Sequence, residues 1–274
     1  MNQKSLYNYF ILCLILLLTT SGCKEQAKNE KKEKESQHSE IVKRKSSEQR
    51  YANHVAEIHK TLLYKEEAFV GFELDIQLPD FQDQVKIIKA TNYSEIQFSS
   101  KKYGDLFYMG NEFFSANEVS IKAKEAKVYL DMAFIFGAFS QIFNKENNYL
   151  EKQEKEALAT NFKVLTINQI NSDFQYAPNE VKSWTDARTD MLKAIEMSFS
   201  LTEKQQLVYF NRYITVNRIP VSLTWNFFDT NKTENLDQAI GEVKIARIKY
   251  YKKGEYSMNF PEELNQIELT ELVQ

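Results

Sequence analysis

Apolar and polar residues alternate in many short segments of this 274-residue chain. A period of two is typical of β-strands that bury one face against a core and expose the other. In FVGFELDIQLPD, the residues Phe72, Leu74, Ile76 and Leu78 alternate with acidic and amide side chains, and Pro79-Asp80 then ends the strand. Further strands are predicted at 85–90, 95–99, 106–109, 113–116, 162–169, 194–201, 205–216, 219–229 and 241–251.

Two dipeptides predict tight hairpin turns. Gly110-Asn111 separates two aromatic strand segments, and a glycine-asparagine pair favours a two-residue turn. Asn217-Arg218 separates the strands predicted at 209–216 and 221–228.

The segment Lys122–Asn144 interrupts the alternation, because it is too long for one strand and repeats with a different period. Its large side chains recur at spacings of three and four, which predicts a helix with an aromatic surface. These residues are Tyr129, Met132, Phe136, Phe139 and Phe143.

Two further helices are predicted. Residues 51–66 place Tyr51, Val55, Ile58 and Leu62 on one face, which is typical of an amphipathic helix. A short polar helix is predicted at Tyr149–Ala159, because oppositely charged residues stand four apart there. Helices interspersed between two runs of strands indicate an α+β fold, a curled antiparallel sheet or half-barrel covered by helices.

The first 22 residues are typical of a secretory signal peptide. Lys4 precedes a short apolar run, and small residues then lead to Cys23. The last residues before Cys23 resemble a lipobox, which implies cleavage at this point and acylation of the Cys23 thiol, for example with palmitate. The alternatives are an ordinary signal peptide with an incidental cysteine and an uncleaved anchor.

Residues 23–49 are predicted to be a disordered tether that follows the lipidated Cys23. From Lys24 to Gln49 the chain has eight basic and six acidic residues and no aromatic residue, so it cannot bury enough apolar surface to fold. A flexible chain of this length spans about 30 Å on average. A basic patch for anionic lipid is the alternative, although acids alternate with the bases.

Residues 50–274 are predicted to form a single half-barrel-like domain. This part carries 26 basic and 32 acidic residues, a net charge near −6, which argues against a nucleic-acid partner. Its length is sufficient for one substantial core.

The sequence contains none of the common catalytic motifs and predicts no catalytic residue, no metal site and no cofactor. His54 and His59 stand five apart on the predicted first helix, so they do not form a two-ligand face and are expected at the surface or in helix packing. Asp131 is an acid within an apolar stretch, and either faces solvent, caps a strand or, less readily, acts as a general acid. Trp184 is predicted to lie in a loop, as a recognition residue or a loop anchor.

The order of these features resembles a group of uncharacterised lipoproteins of diderm bacteria, related in fold to the Lol-type lipoprotein carriers. The segments that carry the resemblance lie within residues 51–261. They are AEIHK, FELDIQL, GDLFYMGNEFF, AFIFGAFSQIF, YFNRYITVNRIPVSLTWNFFD and GEVKIARIKY. The resemblance implies a half-open β-barrel with a helical lid over an apolar cavity, and therefore a protein that binds a lipid or another hydrophobic molecule.

Candidate cavity residues come from the predicted first strand, the aromatic helix and an aromatic strand near the end of the chain. They are Leu74, Ile76, Phe134, Phe136, Phe139, Trp225 and Phe227. The alternative is that these side chains fill the core, which would make the protein a non-catalytic interaction or scaffold protein that presents a surface to other envelope proteins. A hydrolytic enzyme is a third class, since carboxylates from distant strands can meet.

The expected location is the cell envelope, as an outer membrane lipoprotein. Lys24 follows the cysteine, where an aspartate commonly retains lipoproteins at the inner membrane. The expected partners are the membrane, through the covalent lipid, and either a hydrophobic small molecule or acyl chain or other envelope proteins.

Overall fold

The computed structural model of the chain describes residues 45–158, 160–172, 174–230 and 238–269. The predicted signal peptide, Cys23 and most of the predicted tether lie outside these residues. Three helices are described, namely α1 (Ser47–Ile58), α2 (Thr61–Glu66) and α3 (Ala123–Ile142). None of the described helices is both long enough and apolar enough to cross a membrane.

Thirteen strands within the described residues form one antiparallel sheet. They are β1 (Phe69–Leu78), β2 (Phe81–Ala90), β3 (Glu95–Ser100), β4 (Gly104–Met109), β5 (Glu112–Ser115), β6 (Asn148–Ala157), β7 (Thr160–Asn168), β8 (Glu180–Asp186), β9 (Leu192–Phe199), β10 (Lys204–Val216), β11 (Ile219–Asp229), β12 (Gly241–Tyr251) and β13 (Asn265–Ile267). The strand order is β13-β5-β4-β3-β2-β1-β12-β11-β10-β9-β8-β7-β6.

The sheet consists of two meanders that meet where β1 pairs with β12. This pairing joins residues far apart in sequence, for example Leu74 with Ile245. The edge strands are β13 and β6, so the sheet is open and is not closed into a barrel. The predicted α+β class with a large curled antiparallel sheet is confirmed.

The two predicted hairpin turns are present. Asn217 and Arg218 have φ angles of 47° and 66°, and Gly110 and Asn111 have φ angles of 59° and 67°. Two consecutive positive φ angles match the type I′ turn, whose twist suits a two-residue hairpin. The turns fix the register, since Val216 pairs with Ile219 and Met109 with Glu112.

The predicted aromatic helix is α3, and it is enclosed by the rest of the core. Every residue from Val128 to Ile142 is buried. A helix that is apolar on all sides gains stability only when it is surrounded. Phe136 stacks on Phe72 of β1, while Phe139 contacts His59 and Tyr64 from the α1–α2 segment. The helix therefore packs against the sheet on one side and the first two helices on the other.

A second, smaller apolar cluster lies on the opposite face of the sheet. Ala194 belongs to this cluster whereas Ile195 belongs to the main core, and adjacent residues of a strand point to opposite faces. The buried members of the smaller cluster are Phe162, Val164, Trp184, Ala194, Leu207 and Phe228.

The predicted polar helix at Tyr149–Ala159 is wrong, because residues Asn148–Ala157 form β6. This edge strand pairs with β7 from Asn148–Asn168 to Ala157–Thr160. Nearly all its side chains are exposed, and charged residues on an edge strand discourage pairing with another chain. Hydrogen bonding to β7 outweighs the helical charge pairs, each of which contributes only about 0.2–0.5 kcal/mol.

The single helix predicted at 51–66 is divided into α1 and α2. Lys60 adopts a left-handed conformation with φ of 55°, which separates the two helices and changes the direction of the chain. Val55 is buried as predicted, but Leu62 is 76% exposed, because it no longer continues the apolar face of α1. The helix α1 begins at Ser47, so the last three residues assigned to the tether are helical.

The predicted loop around Trp184 is also wrong. Trp184 lies in β8, a strand that the alternation did not reveal, where it pairs with Val164 of β7 and Ala194 of β9. Its side chain is 3% exposed, so it is a packing residue in the smaller cluster.

Candidate functional site

The seven candidate cavity residues are all buried, and three of them line one pocket. Phe136 and Phe139 of α3 and Trp225 of β11 enclose this pocket together with His59 and Phe210. The remaining four belong to the same core; they are Leu74, Ile76, Phe134 and Phe227.

The pocket, which we call the aromatic pocket, has a volume of about 30 Å³. A single water occupies a volume of this order, whereas sites for small organic ligands occupy roughly 300–1,000 Å³. The surrounding rings pack closely, since the rings of Phe72 and Phe136 are 3.8 Å apart and nearly parallel. A larger ligand could enter only if side chains or a helix moved.

His59 forms one wall of the aromatic pocket and is held in its neutral form. Its Nε2 accepts a hydrogen bond of 2.8 Å from the backbone N–H of Leu192. A backbone nitrogen can only donate, so Nε2 carries no proton. Burial lowers the pKa of His59 to about 3, and the ring stacks on Phe139 with 5.6 Å between ring centroids. The expected helix-packing role thus matches the position of this histidine.

Asp131 points from α3 to the end of β9, as a strand cap. Its Oδ2 accepts a hydrogen bond of 3.0 Å from the backbone N–H of Ser200, the residue that follows the strand. Burial raises the pKa of Asp131 to about 6, although hydrogen bonds from Ser200 oppose this effect.

A cluster of polar groups lies buried where α2, α3 and β2 meet, and we call it the Lys89 cluster. It contains Lys89 of β2, Tyr64 of α2, Tyr93 of the β2–β3 turn and Gly137 of α3. Lys89 is 0% exposed, and its Nζ lies 3.3 Å from the centroid of the Tyr93 ring. Within the part of the chain that is described, Lys89 Nζ and Tyr64 Oη have no hydrogen-bond partner.

Gly137 makes room for these polar groups. A Cβ atom at this position would lie 2.4 Å from Tyr93 Oη, 2.7 Å from Tyr64 Oη and 2.8 Å from Lys89 Nζ. The two hydroxyls and the amine therefore converge on one point beside the helix backbone. Burial strongly lowers the pKa of Lys89, which favours the neutral amine.

The alternation of apolar and polar residues in β2 indicates that Lys89 faces the core. Phe81, Val85 and Ile87 face the core, and the same period of two places Asp83 and Lys89 on that face. The carboxylate of Asp83 has partners, accepting hydrogen bonds from Ser100 and Tyr129 at 2.6 and 2.7 Å. Lys89 differs in having none among the described residues.

A second polar cluster lies at the protein surface and fastens α1 to the sheet. Asp190, in the turn between β8 and β9, receives a hydrogen bond of 3.0 Å from Tyr51 and an ion pair of 2.7 Å from Lys163. His54 contacts the same carboxylate at 3.3 Å. Among the described residues no group of three or more side chains is arranged to hold a metal ion.

These features define a structural class, an open curled antiparallel sheet that surrounds one apolar helix. No protein-family model and no curated protein matched the sequence. Among solved structures, the chain is similar to a DUF1329 family protein from Desulfovibrio piger, with 8% identity, coverage of 77% of this chain and 96% of that one, and a TM-score of 0.43.

Two further solved structures are similar to the chain. One is a LolA superfamily protein from Nitrosomonas europaea, with 9% identity, coverage of 72% and 92%, and a TM-score of 0.47. The other is a putative outer membrane lipoprotein-sorting protein domain from Vibrio parahaemolyticus, with 9% identity, coverage of 73% and 92%, and a TM-score of 0.41. At these identities and scores the similarities identify no ligand and no activity.

Proposed function

We propose that the protein is a membrane-anchored envelope lipoprotein that binds a hydrophobic molecule between α3 and the concave face of its sheet. The observation that supports this is the aromatic pocket, where Phe136 and Phe139 of the helix face Trp225 of the sheet around a small void. Apolar side chains on both walls match an acyl chain in chemistry. Because the void is small, a ligand must displace part of the helix–sheet contact.

The anchor in this proposal is the acylated Cys23, which leads into the tether at residues 24–49. Two or more acyl chains hold a protein stably on a membrane, since each buried CH₂ contributes about 0.8 kcal/mol. The C23S variant of the full chain should lose its membrane fractionation and its processing. A C23S protein that still fractionates with membranes would show that the anchor is wrong.

The ligand is tested by releasing the protein from its anchor. A specific protease site inserted in the tether, after Lys24, allows the lipidated chain to be made in cells and then cut free of its lipid. Native mass spectrometry of the released domain should show an additional mass from a copurified hydrophobic molecule. A domain that carries no such molecule and binds no fluorescent fatty acid contradicts the proposal.

A matched pair of variants assigns the binding to the aromatic pocket. Val221 lines the pocket, and its cross-strand partner Ile214 is 41% exposed and does not line it. V221F fills the void and should reduce occupancy, whereas I214F places the same aromatic ring elsewhere in the same hairpin and should leave occupancy unchanged.

The second candidate function is a non-catalytic interaction protein with a filled core. The observation that favours it is the volume of the aromatic pocket, about 30 Å³ in the described conformation. In that case the released domain is empty, and crosslinking in intact cells should join its surface to other envelope proteins.

A further inference from the structure

The Lys89 cluster contains buried polar groups that make no hydrogen bond to one another. The amine of Lys89 and the hydroxyl of Tyr64 are fully buried and have no partner within the described ranges. Tyr93 Oη donates a long hydrogen bond of 3.3 Å to the carbonyl of Phe134 and also interacts with the hydroxyl of Ser140. A buried donor without a partner costs about 1–3 kcal/mol, and such groups occur in native proteins mainly where they have a use.

The described acidic side chains do not satisfy this lysine. Asp83 lies on the same face of β2, but its carboxylate is occupied by Ser100 and Tyr129. Glu67 lies at the end of α2, and its buried Oε2 has no partner among the described residues, Lys89 included. The lysine contacts two aromatic rings instead, Tyr93 at 3.3 Å and Tyr64 at 5.8 Å from the ring centroids.

An acceptor that enters beside Gly137 could accept hydrogen bonds from Lys89 and Tyr64, which have no partner among the described residues, and from Tyr93. The three polar atoms lie close together, because each is 2.4–2.8 Å from the position that a Cβ atom of residue 137 would take. That position is at bonding distance from Gly137 Cα, so the acceptor must lie beyond it, among the three polar atoms. A carboxylic acid can protonate the neutral amine of Lys89 as it binds, and the resulting ammonium balances one negative charge. One positive charge suits a carboxylate better than the double charge of a phosphate monoester.

We propose that Lys89, with the hydroxyls of Tyr64 and Tyr93, binds the carboxylate of an acyl-chain ligand at Gly137. This rests on the proposed function, in which the same contact between helix and sheet admits a hydrophobic chain. Phe139 connects the two places, since its ring contacts Tyr64 at 5.0 Å and also lines the aromatic pocket. The carboxylate lies at the Lys89 cluster, and the chain extends past Phe139 towards Trp225.

Entry of the carboxylate requires a shift of α2, which carries Tyr64. This helix has only six residues, follows a left-handed Lys60 and has no side-chain cap at its start. An outward movement of α2 breaks the ring contacts of Tyr64 with Phe139 and Tyr250, and these are contacts that a bound ligand would have to replace.

Two photoreactive probes of equal chain length test the proposal in membranes that contain the full lipidated chain. One probe is a diazirine-labelled palmitic acid, and the other is the corresponding hexadecanol. Crosslinked peptides are identified by mass spectrometry. The acid should label peptides of α3 and β11 about tenfold more than the alcohol does, because a charged hydrogen bond contributes at least this factor to affinity.

The K89M variant should lose this preference while still being labelled by both probes, since the apolar walls remain. K86M is the matched control, because Lys86 lies on the same strand but is exposed, and it should keep the preference. K89M should also raise the melting temperature, because methionine removes an amine without a partner. If K89M does not fold, Y64F and Y93F replace it, as each removes one hydroxyl and keeps the ring.

The outcomes separate the two proposals. Equal labelling by acid and alcohol in the unmodified protein, or an acid preference that persists in K89M, overturns the carboxylate site and leaves the hydrophobic site standing. Absence of labelling by either probe at α3 and β11 overturns the proposed function itself. A K89M protein with a lower melting temperature and unchanged labelling shows that the lysine has a structural role only.

Discussion

Replacing His59 with glutamine should change how the stability of the protein depends on pH. His59 is 1% exposed, stacks on Phe139 and accepts its hydrogen bond from the backbone of Leu192. Protonation of Nε2 would place its N–H group against the backbone N–H group of Leu192, so that two donors would face each other in an apolar setting. The H59Q variant keeps an acceptor for the Leu192 N–H and removes the titrating group.

The magnitude follows from the two pKa values of the histidine. Burial lowers the pKa of His59 to about 3 in the folded protein, and the unfolded chain has the ordinary value of about 6.5. The unfolded state therefore takes up a proton first as the pH falls, so stability is lost below pH 6.5. By linkage, the free energy of unfolding should fall by about 2 kcal/mol between pH 7.5 and pH 5 from this group alone.

The assay is urea denaturation at pH 7.5 and pH 5, followed by the fluorescence of Trp184 and Trp225. The stability of wild type relative to H59Q should fall by about 2 kcal/mol between these two values of pH. The control is H54Q, which removes a histidine from the neighbouring helix α1 and leaves His59 in place. If wild type and H59Q differ equally at both pH values, the buried neutral histidine is refuted.

Three further substitutions test other parts of the core. D131N keeps an acceptor for the backbone N–H of Ser200 but removes the titrating carboxyl group. Because burial raises the pKa of Asp131 to about 6, the wild-type protein regains stability as the pH falls through 6. In urea denaturation, the stability advantage of D131N over wild type should therefore shrink by roughly 1.4 kcal/mol from pH 7.5 to pH 5. G137A places a methyl group within 2.4–2.8 Å of the Lys89 cluster and should lower the free energy of unfolding by about 1–3 kcal/mol, and a neutral result would show that the cluster moves freely. K60G removes the backbone strain of a lysine in the left-handed conformation, so it should stabilise the protein by about 0.5–1 kcal/mol and raise its melting temperature. An unchanged or lower melting temperature would show that the Lys60 side chain makes a stabilising contact.

Local chemistry predicted much of the fold, because several features need only neighbouring residues. The hairpin at Asn217-Arg218 follows from the two-residue spacing between two alternating segments and from Asn217, which tolerates positive φ. The helix α3 follows from its length and its spacing of aromatic residues. These patterns do not depend on what the segment packs against.

The failed predictions concern segments whose structure is decided by distant partners. The charges of β6 are spaced equally well for a helix, and only the pairing with β7 selects a strand. Trp184 stands in a segment with no clear period, because β8 buries residues on both of its faces. The division between α1 and α2 depends on one left-handed residue, Lys60, whose side chain gives no indication of it.

The residues of the candidate site could be predicted from the sequence, but the volume of the pocket that they enclose could not. A cavity wall and a filled core require the same apolar side chains, so the residues at Phe136 and Trp225 predict burial without distinguishing the two. In the described conformation, with Phe136 stacked on Phe72, the aromatic pocket has room for about one water. The polar interior is different, because buried polar groups without partners are an energetic deficit that closer packing cannot remove. Among the described residues, such atoms belong to Lys89 and Tyr64 and to the nearby Thr61, Glu67 and Tyr250, and none belongs to a residue that lines the aromatic pocket. A ligand whose polar group supplies an acceptor beside Gly137 would offset this deficit when it displaces the helix, so the polar group would select among ligands of equal chain length.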